Sequence, residues 1–356
     1  MYKGHFIDFN DLSPEGFSKL YFRAKEIMAS PQAYAESCKG RILATTFFEP
    51  STRTLLSFQA AMLRLGGTYL GFSDSNSSSV AKGENLRDTI KIIAGYSDAL
   101  VIRHPLEGAA KAASLYADVP VINAGDGTHL HPTQTLTDLT TIMEEKGRLG
   151  NLKIGLCGDL LNGRTTHSLI KALSRYENNT FYLISTSKLK MPPYIQEYLK
   201  VGKSKIYEVQ TMEECMSDLD VLYMTRVQKE RFESAEEYEK ETKVYHLTSD
   251  KLKMASDNLI IMHPLPKVNE IDIEIDLDKK AKYYEQAKYG MYIRMALLDK
   301  LINDNTCEMS DEIKDSTVPH RCKNEKCITS TEEYLPILVK IGPDGSEVCE
   351  YCDSKL

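Results

Sequence analysis

Short apolar, β-branched runs alternate with segments of helical periodicity along most of this chain, and that alternation restricts the fold more than any other feature. Arg41–Phe48 reads as a buried strand. Leu55, Phe58, Met62 and Leu65 then recur at helical spacing, Gly66–Gly67 forms a stop, and Thr68–Phe72 opens the next strand. Leu86–Tyr96 reads as helix, Ala99–Ile102 as strand, Lys111–Tyr116 as helix and Val119–Ile122 as strand. Asn123–Gly127 reads as a glycine-rich turn, and His131 to Gln134 opens a helix with Leu136, Leu139 and Met143 on one face. The pattern restarts at Lys153, with strands expected at 154–157, 181–185, 205–209, 221–224 and 259–262. Such alternation specifies an α/β fold whose parallel sheets carry helices on both faces. With 356 residues, 42% of them hydrophobic, the chain has room for two such doubly wound domains. Ser18–Ala29 and Tyr284–Ile302 read as further helices.

In parallel sheets of this kind, ligands sit outside the carboxyl ends of the strands. Phe47–Thr54, Phe-Phe-Glu-Pro-Ser-Thr-Arg-Thr, places the Ser51–Thr52 pair and Arg53 in a turn from strand to helix. Free N–H groups and the positive end of the helix dipole meet there, which makes a receptor for a phosphate-like anion. Arg103 and His131 follow strands at the same expected edge, and Arg164 and Arg226 occupy equivalent places in the second half. Ser73–Gly83 is a polar, Ser-rich loop bearing one cation, Lys82. Gly158–Gly163 lacks the spacing of a dinucleotide-binding loop and is rejected as one.

The net charge of −7 argues against nucleic acid or anionic membrane as partners. No run has the length of a membrane span, and the amino terminus has no signal-peptide core, so a cytoplasmic location is expected. Cations gathered after strands in an acidic chain suit two anionic small molecules gripped between domains, one phosphorylated and one carrying carboxylates.

Cysteine usage sets the last segment apart. Cys38, Cys157, Cys215 and Cys307 are scattered, whereas Cys322-x4-Cys327 and Cys349-x2-Cys352 form a four-thiolate pattern suited to tetrahedral Zn²⁺. A piece this small cannot build an adequate core, so the ion would supply much of its folding energy. A nucleic-acid-binding ribbon is the competing reading, weakened by few basic residues (Lys323, Lys326, Lys340) among acidic neighbours.

Together, Phe-Phe-Glu-Pro-Ser-Thr-Arg-Thr, Val-Ile-Arg-His-Pro, His-Pro-Thr-Gln-Thr-Leu, Gly-Arg-Thr-Thr-His-Ser-Leu, Tyr-Met-Thr-Arg-Val-Gln-Lys-Glu-Arg and His-Pro-Leu-Pro resemble the catalytic chain of the aspartate carbamoyltransferase family over roughly residues 1–305. The resemblance implies condensation of carbamoyl phosphate with L-aspartate to N-carbamoyl-L-aspartate and phosphate, in pyrimidine biosynthesis, with no organic cofactor. It implies a carbamoyl-phosphate domain over 1–134, an aspartate domain over 135–286, and a helix over 287–305 returning to the first domain. By motif, Ser51, Thr52, Arg53 and Thr54 would hold the phosphate; Arg103, His131 and Thr54 the carbonyl oxygen; and Gln134 the carbamoyl amide. Leu265 and Pro266 would offer backbone contacts through a cis peptide, and Arg164, Arg226, Gln228 and Lys82 would hold aspartate. Ser78 and Lys82 match a loop that enters a neighbouring subunit's site, implying a homotrimer with shared sites and leaving larger assemblies open; Ala81 leaves Lys82 as the loop's one cation.

The chemistry needs no side-chain nucleophile: Arg103, His131 and Thr54 would donate to the oxygen on which charge grows, with His131 a neutral donor rather than a general base. The ornithine-specific relatives are the close alternative, but Arg226 beside Gln228 suits a carboxylate and opposes an ammonium. A catalytically inactive scaffold is the other, opposed by the presence of every expected arginine. Residues 306–356 resemble a linker and the zinc domain of the family's separate regulatory chain, fused here without its nucleotide-binding half, with one structural Zn²⁺ on Cys322, Cys327, Cys349 and Cys352.

Overall fold

Strand β1 (Ile42–Phe47) lies between β2 (Thr68–Phe72) and β3 (Ala99–His104) in a parallel sheet of order β2-β1-β3-β4, with β4 at Val121–Asp126. This computed structural model describes residues 4–74, 79–227, 244–304 and 321–356, with single positions between 228 and 243. Leu43 pairs with Tyr69 on one side and Ala99 on the other, and β1 and β3 are almost wholly buried, as near-continuous apolar strands should be. At Gly71, φ is +140° and a β-carbon would come within 2.0 Å of the Thr45 carbonyl oxygen, so glycine permits the close approach of β2 to β1.

β4 runs further than the sequence reading. Asn123–Asp126, read as turn, continues the strand, because the Asn123 side chain accepts from Gly125 N–H at 2.8 Å and donates to Asp126 Oδ1 at 3.1 Å. Those bonds satisfy the local polar groups that would otherwise favour a turn.

The sheet belongs to a compact unit of Met1–Leu136 and Gly290–Leu356. Helix α1 (Pro14–Ala29) starts earlier than the apolar spacing suggests: Ser13 caps it by accepting from Gly16 N–H, and Pro14 occupies its first turn. Helices α2 (Thr52–Arg64), α3 (Leu86–Ala94) and α4 (Ala109–Ser114) follow β1, β2 and β3 in the chain, and α5 (Pro132–Lys146) follows β4. The later part of a long helix, here α8 (Tyr283–Asn303), packs in this unit, where Arg294 donates to Ser57 Oγ at 3.0 Å and Asp299 pairs with Arg23 at 2.8 Å.

Residues 321–356 pack on the same unit. Their two short strands, β10 (Val339–Ile341) and β11 (Glu347–Cys349), form an antiparallel pair. The seat is helix α4, whose Ala109, Ala110, Ala112 and Ala113 share one apolar cluster with Ile328, Leu335 and Tyr351. Alanines let the segment approach closely. Gly108, at φ +81°, has no room for a β-carbon, which would fall 2.5 Å from Tyr351 Cβ. Glu107 forms a two-bond backbone bridge, donating to Lys326 O and accepting from Ile328 N–H, both at 2.8 Å. Glu332 Oε1 and the Tyr334 hydroxyl accept from Leu86 and Arg87 N–H at 3.0 and 2.8 Å, completing the first turn of α3.

The second unit, Thr137–Tyr289, holds another parallel sheet. Its strands are β5 (Lys153–Cys157), β6 (Thr180–Ile184), β7 (Lys205–Val209), β8 (Val221–Met224) and β9 (Ile260–Met262), ordered β7-β6-β5-β8-β9. Helices α6 (Arg164–Leu173) and α7 (Pro193–Val201) alternate with the first three strands. No helix among the described residues is long and apolar enough to cross a membrane.

Candidate active site

The turn from β1 into α2 sets the geometry. Ser51 stands at the N-cap with extended backbone (φ −158°), yet among the described residues its side chain makes no capping bond to α2. An uncapped start forgoes about 1 kcal/mol of helix stability. It also leaves the N–H groups of Thr52, Arg53 and Thr54 directed at whatever anion lies ahead of the helix. Thr52 and Arg53 are exposed, and Thr54 is buried.

Two further strand ends of the same sheet converge nearby. Arg103, at the end of β3, places Nη2 2.6 Å from Glu49 Oε1, while its Nη1 donates to Ala124 O at 3.2 Å. That same Nη1 lies 3.4 Å from His131 Nε2. A guanidinium can only donate, so in this contact Nε2 accepts and the imidazole proton resides on Nδ1. Gly125 makes room for the arginine: at φ +121°, a β-carbon there would sit 2.9 Å from Arg103 Nη1. Glu49, Arg103 and His131 thus form one cluster, with Gln134 one turn further along α5. Beside them, burial holds His104 neutral, its pKa pushed down to about 4 against the pull of Asp126, and its Nδ1 accepts from Leu106 N–H.

The turn before His131 is held by Asp126. Its Oδ1 accepts from Leu130 N–H at 3.1 Å and its Oδ2 from Gly108 N–H at 2.7 Å. His129 sits between two carboxylates, Nδ1 at 3.1 Å from Asp126 and Nε2 at 3.1 Å from Asp353.

In the second unit, the expected residues occupy the carboxyl ends of three neighbouring strands. Arg164 begins α6 after β5, Arg226 follows β8 and is exposed, and Leu265–Pro266 follows β9. The Leu265–Pro266 peptide is cis, and Leu265 itself has φ +55°. A bonded chain holds this loop: Leu265 N–H donates to His263 Nδ1 at 2.8 Å, leaving Nε2–H to reach Glu270 Oε1 at 2.8 Å. Glu270 also accepts from the N–H groups of Val268 and Asn269. Gln286 links the His263 backbone to Asp138, and Asp138 accepts from the Tyr223 hydroxyl.

Lys82 is exposed at the end of a short helical turn, Ser79–Lys82. Ser78, Gln228 and Cys307 lie outside the described residues. Sequence reasoning did not single out Glu49, which pairs with Arg103, or Glu270, which pairs with His263 beside the Leu265–Pro266 loop. Glu49 stood inside the quoted motif, but its partner is remote along the chain.

Cys322, Cys327, Cys349 and Cys352 bring their Sγ atoms within 4.8 Å of one another, with Cys322–Cys352 at 3.6 Å and Cys327–Cys349 at 3.9 Å. Zinc–sulfur bonds of about 2.3 Å in a tetrahedron set sulfurs about 3.8 Å apart, so the thiols fit such an ion. Four thiolates this close would repel one another, and a divalent cation removes that repulsion.

Residues 4–144 match the family described as aspartate/ornithine carbamoyltransferase, carbamoyl-P binding domain, and residues 150–301 match its Asp/Orn binding domain. The chain belongs to the aspartate/ornithine carbamoyltransferase family. Among its relatives in that family, the aspartate carbamoyltransferase catalytic subunit of Clostridium novyi is 56% identical over 296 residues, 83% of this chain and 97% of the relative. That of Clostridium perfringens is 56% identical over 301 residues, 84% of this chain and 98% of the relative. Among solved structures, the catalytic subunit of M. jannaschii aspartate transcarbamoylase aligns with a TM-score of 0.81 at 48% identity, covering 85% of this chain and 99% of that one. The Trypanosoma cruzi aspartate transcarbamoylase in complex with N-(phosphonacetyl)-L-aspartic acid aligns with a TM-score of 0.78 at 37% identity, covering 84% and 96%. The carbamoyltransferase family matches end at residue 301, before the cysteine cluster.

Proposed function

We infer that this chain transfers the carbamoyl group of carbamoyl phosphate to L-aspartate, giving N-carbamoyl-L-aspartate and phosphate. The relatives' shared identity as aspartate carbamoyltransferases carries this reading, since the family description itself admits ornithine as well.

The side chains support a direct displacement. The uncapped start of α2, with Ser51, Thr52, Arg53 and Thr54, holds the phosphate. Arg103, Thr54 and His131 donate to the carbonyl oxygen as the aspartate amine attacks the carbonyl carbon, and Gln134 takes the carbamoyl amide. A carbon–nitrogen bond forms and the carbon–oxygen bond to phosphate breaks. Phosphate leaves with the bonding electrons and accepts the amine proton, so no enzyme base is required. Leu265 and Pro266 present backbone groups, while Arg164, Arg226, Gln228 and Lys82 hold the aspartate carboxylates.

Ser78 and Lys82 serve the site of a neighbouring subunit, so the working form is a homotrimer with shared sites. The C-terminal segment is a fused zinc domain in which Cys322, Cys327, Cys349 and Cys352 hold one Zn²⁺. The ion supplies folding energy and no catalytic step. Metal-binding thiolates need a reducing compartment, which fits a cytoplasmic setting. The single chain lacks nucleotide control of its own.

The test is an assay of the purified chain with carbamoyl phosphate and either aspartate or ornithine. Carbamoyl aspartate should be the product. Citrulline from ornithine, or no product with either amine, would overturn the assignment.

A further inference from the structure

The C-terminal segment reaches past its docking helix into the turn that carries His131. Its Asp353 places Oδ2 3.1 Å from His129 Nε2, two residues before His131. The other imidazole nitrogen faces Asp126 at 3.1 Å. Both ring nitrogens therefore face carboxylates: Nδ1–H donates to Asp126, and the protonated ring pairs with Asp353 by charge. The group is withdrawn from water: the side chains of His129, Asp126 and Asp353 are 8%, 3% and 18% exposed. Burial opposes the charge, but the two carboxylates outweigh it and push the His129 pKa up to about 10. Asp126 in turn accepts the N–H of Leu130, the residue bonded to His131, and the N–H of Gly108, beyond Arg103 on the next loop. Lys340, on β10, pairs with the second Asp353 oxygen at 2.6 Å and fixes the carboxylate from the outer side.

We propose that Asp353 is a positioning residue for carbamoyl transfer, supplied by the C-terminal segment to its own chain: it holds His129 against Asp126 and so fixes the turn that presents His131. This rests on the assignment of His131 to the carbonyl oxygen. Removing one carboxylate from a buried cation between two leaves the remaining pair imbalanced, and the turn relaxes. A shift of about 1 Å in a transition-state donor is felt mainly in turnover. The segment then serves the positioning of His131 as well as packing on α4.

The experiment uses the full chain purified with zinc. Asp353→Asn is the first variant, because asparagine tolerates the φ of +62° at this position. Steady-state kinetics should show kcat reduced on the order of tenfold, KM for aspartate changed less than about twofold, and zinc content unchanged. His129→Asn approaches the same contact from the turn before His131, leaves the segment intact, and should give the same split. The double variant should lose little beyond either single one. Lys355→Met, whose ammonium pairs with Asp344 in the same segment, should retain wild-type kcat. Full turnover in Asp353→Asn or in His129→Asn overturns the proposal, as does a loss confined to KM. Should Asp353→Asn shed zinc or fail to fold, His129→Asn decides alone. An inactive parent chain would instead refute the carbamoyltransferase reading, so the two failures are distinguishable.

Discussion

Glu49 and Arg103 meet at 2.6 Å, carboxylate to guanidinium, across the carboxyl ends of adjacent strands β1 and β3. The pair orients the cation assigned to the carbonyl oxygen, and does so with a residue that sits one strand away. Glu49→Gln should therefore lower kcat by roughly ten- to a hundred-fold, because a misaimed donor loses most of its transition-state value. Circular dichroism and melting should stay near wild type. Unchanged turnover would mean that Ala124 O and His131 suffice to aim Arg103.

His131→Ala tests the donor role. Loss of one donor to the developing oxyanion costs on the order of a hundred- to a thousand-fold in kcat. The pH–rate profile of the variant should keep the shape of the parent's, only lower. Disappearance of a limb near neutrality would instead identify His131 as the general base.

Cys349→Ser tests the metal. Emission spectroscopy should find one zinc per parent chain and none in the variant. Without the ion, Ile328, Leu335 and Tyr351 lose their seat on α4, so the melting transition of the first unit should weaken by at least about 2 kcal/mol. Equal metal content in both proteins would remove the four-thiolate assignment.

Tyr334→Phe isolates the contact with α3. The Arg87 N–H loses the hydroxyl that accepts it at 2.8 Å, while the ring stays under the Arg87 guanidinium. Destabilisation of about 1 kcal/mol is expected from a single lost hydrogen bond, read as a shift in the denaturation midpoint at constant m-value. A shift well below that would show that water replaces the hydroxyl.

The strand–helix alternation and the cysteine spacing were legible in the sequence because both are local signals. Period and turn chemistry placed β1 to within a residue at each end and α2 to within three at its start, and Cys322, Cys327, Cys349 and Cys352 announced themselves by spacing alone. The start of α1 was also written locally, in Ser13–Pro14, but its apolar spacing begins further along. Contacts between remote segments left no such trace. Glu49 is an ordinary acidic residue until Arg103 lies on the neighbouring strand. The alanines of α4 read as helix-forming and mute, yet they are the floor on which Tyr351 and Leu335 rest. Asp138, Tyr223 and Gln286 likewise gain meaning only when the second sheet brings them together.

The backbone bridge between Glu107 and the Lys326–Ile328 stretch forms within a single chain. A detachable subunit making the same bridge would leave its seat whenever protein became scarce, by mass action. Here both sides of the bridge belong to one polypeptide, so the local concentration of the segment is set by its tether rather than by how much protein is present. Occupancy of the seat should be indifferent to dilution, and each chain that is made arrives with its own.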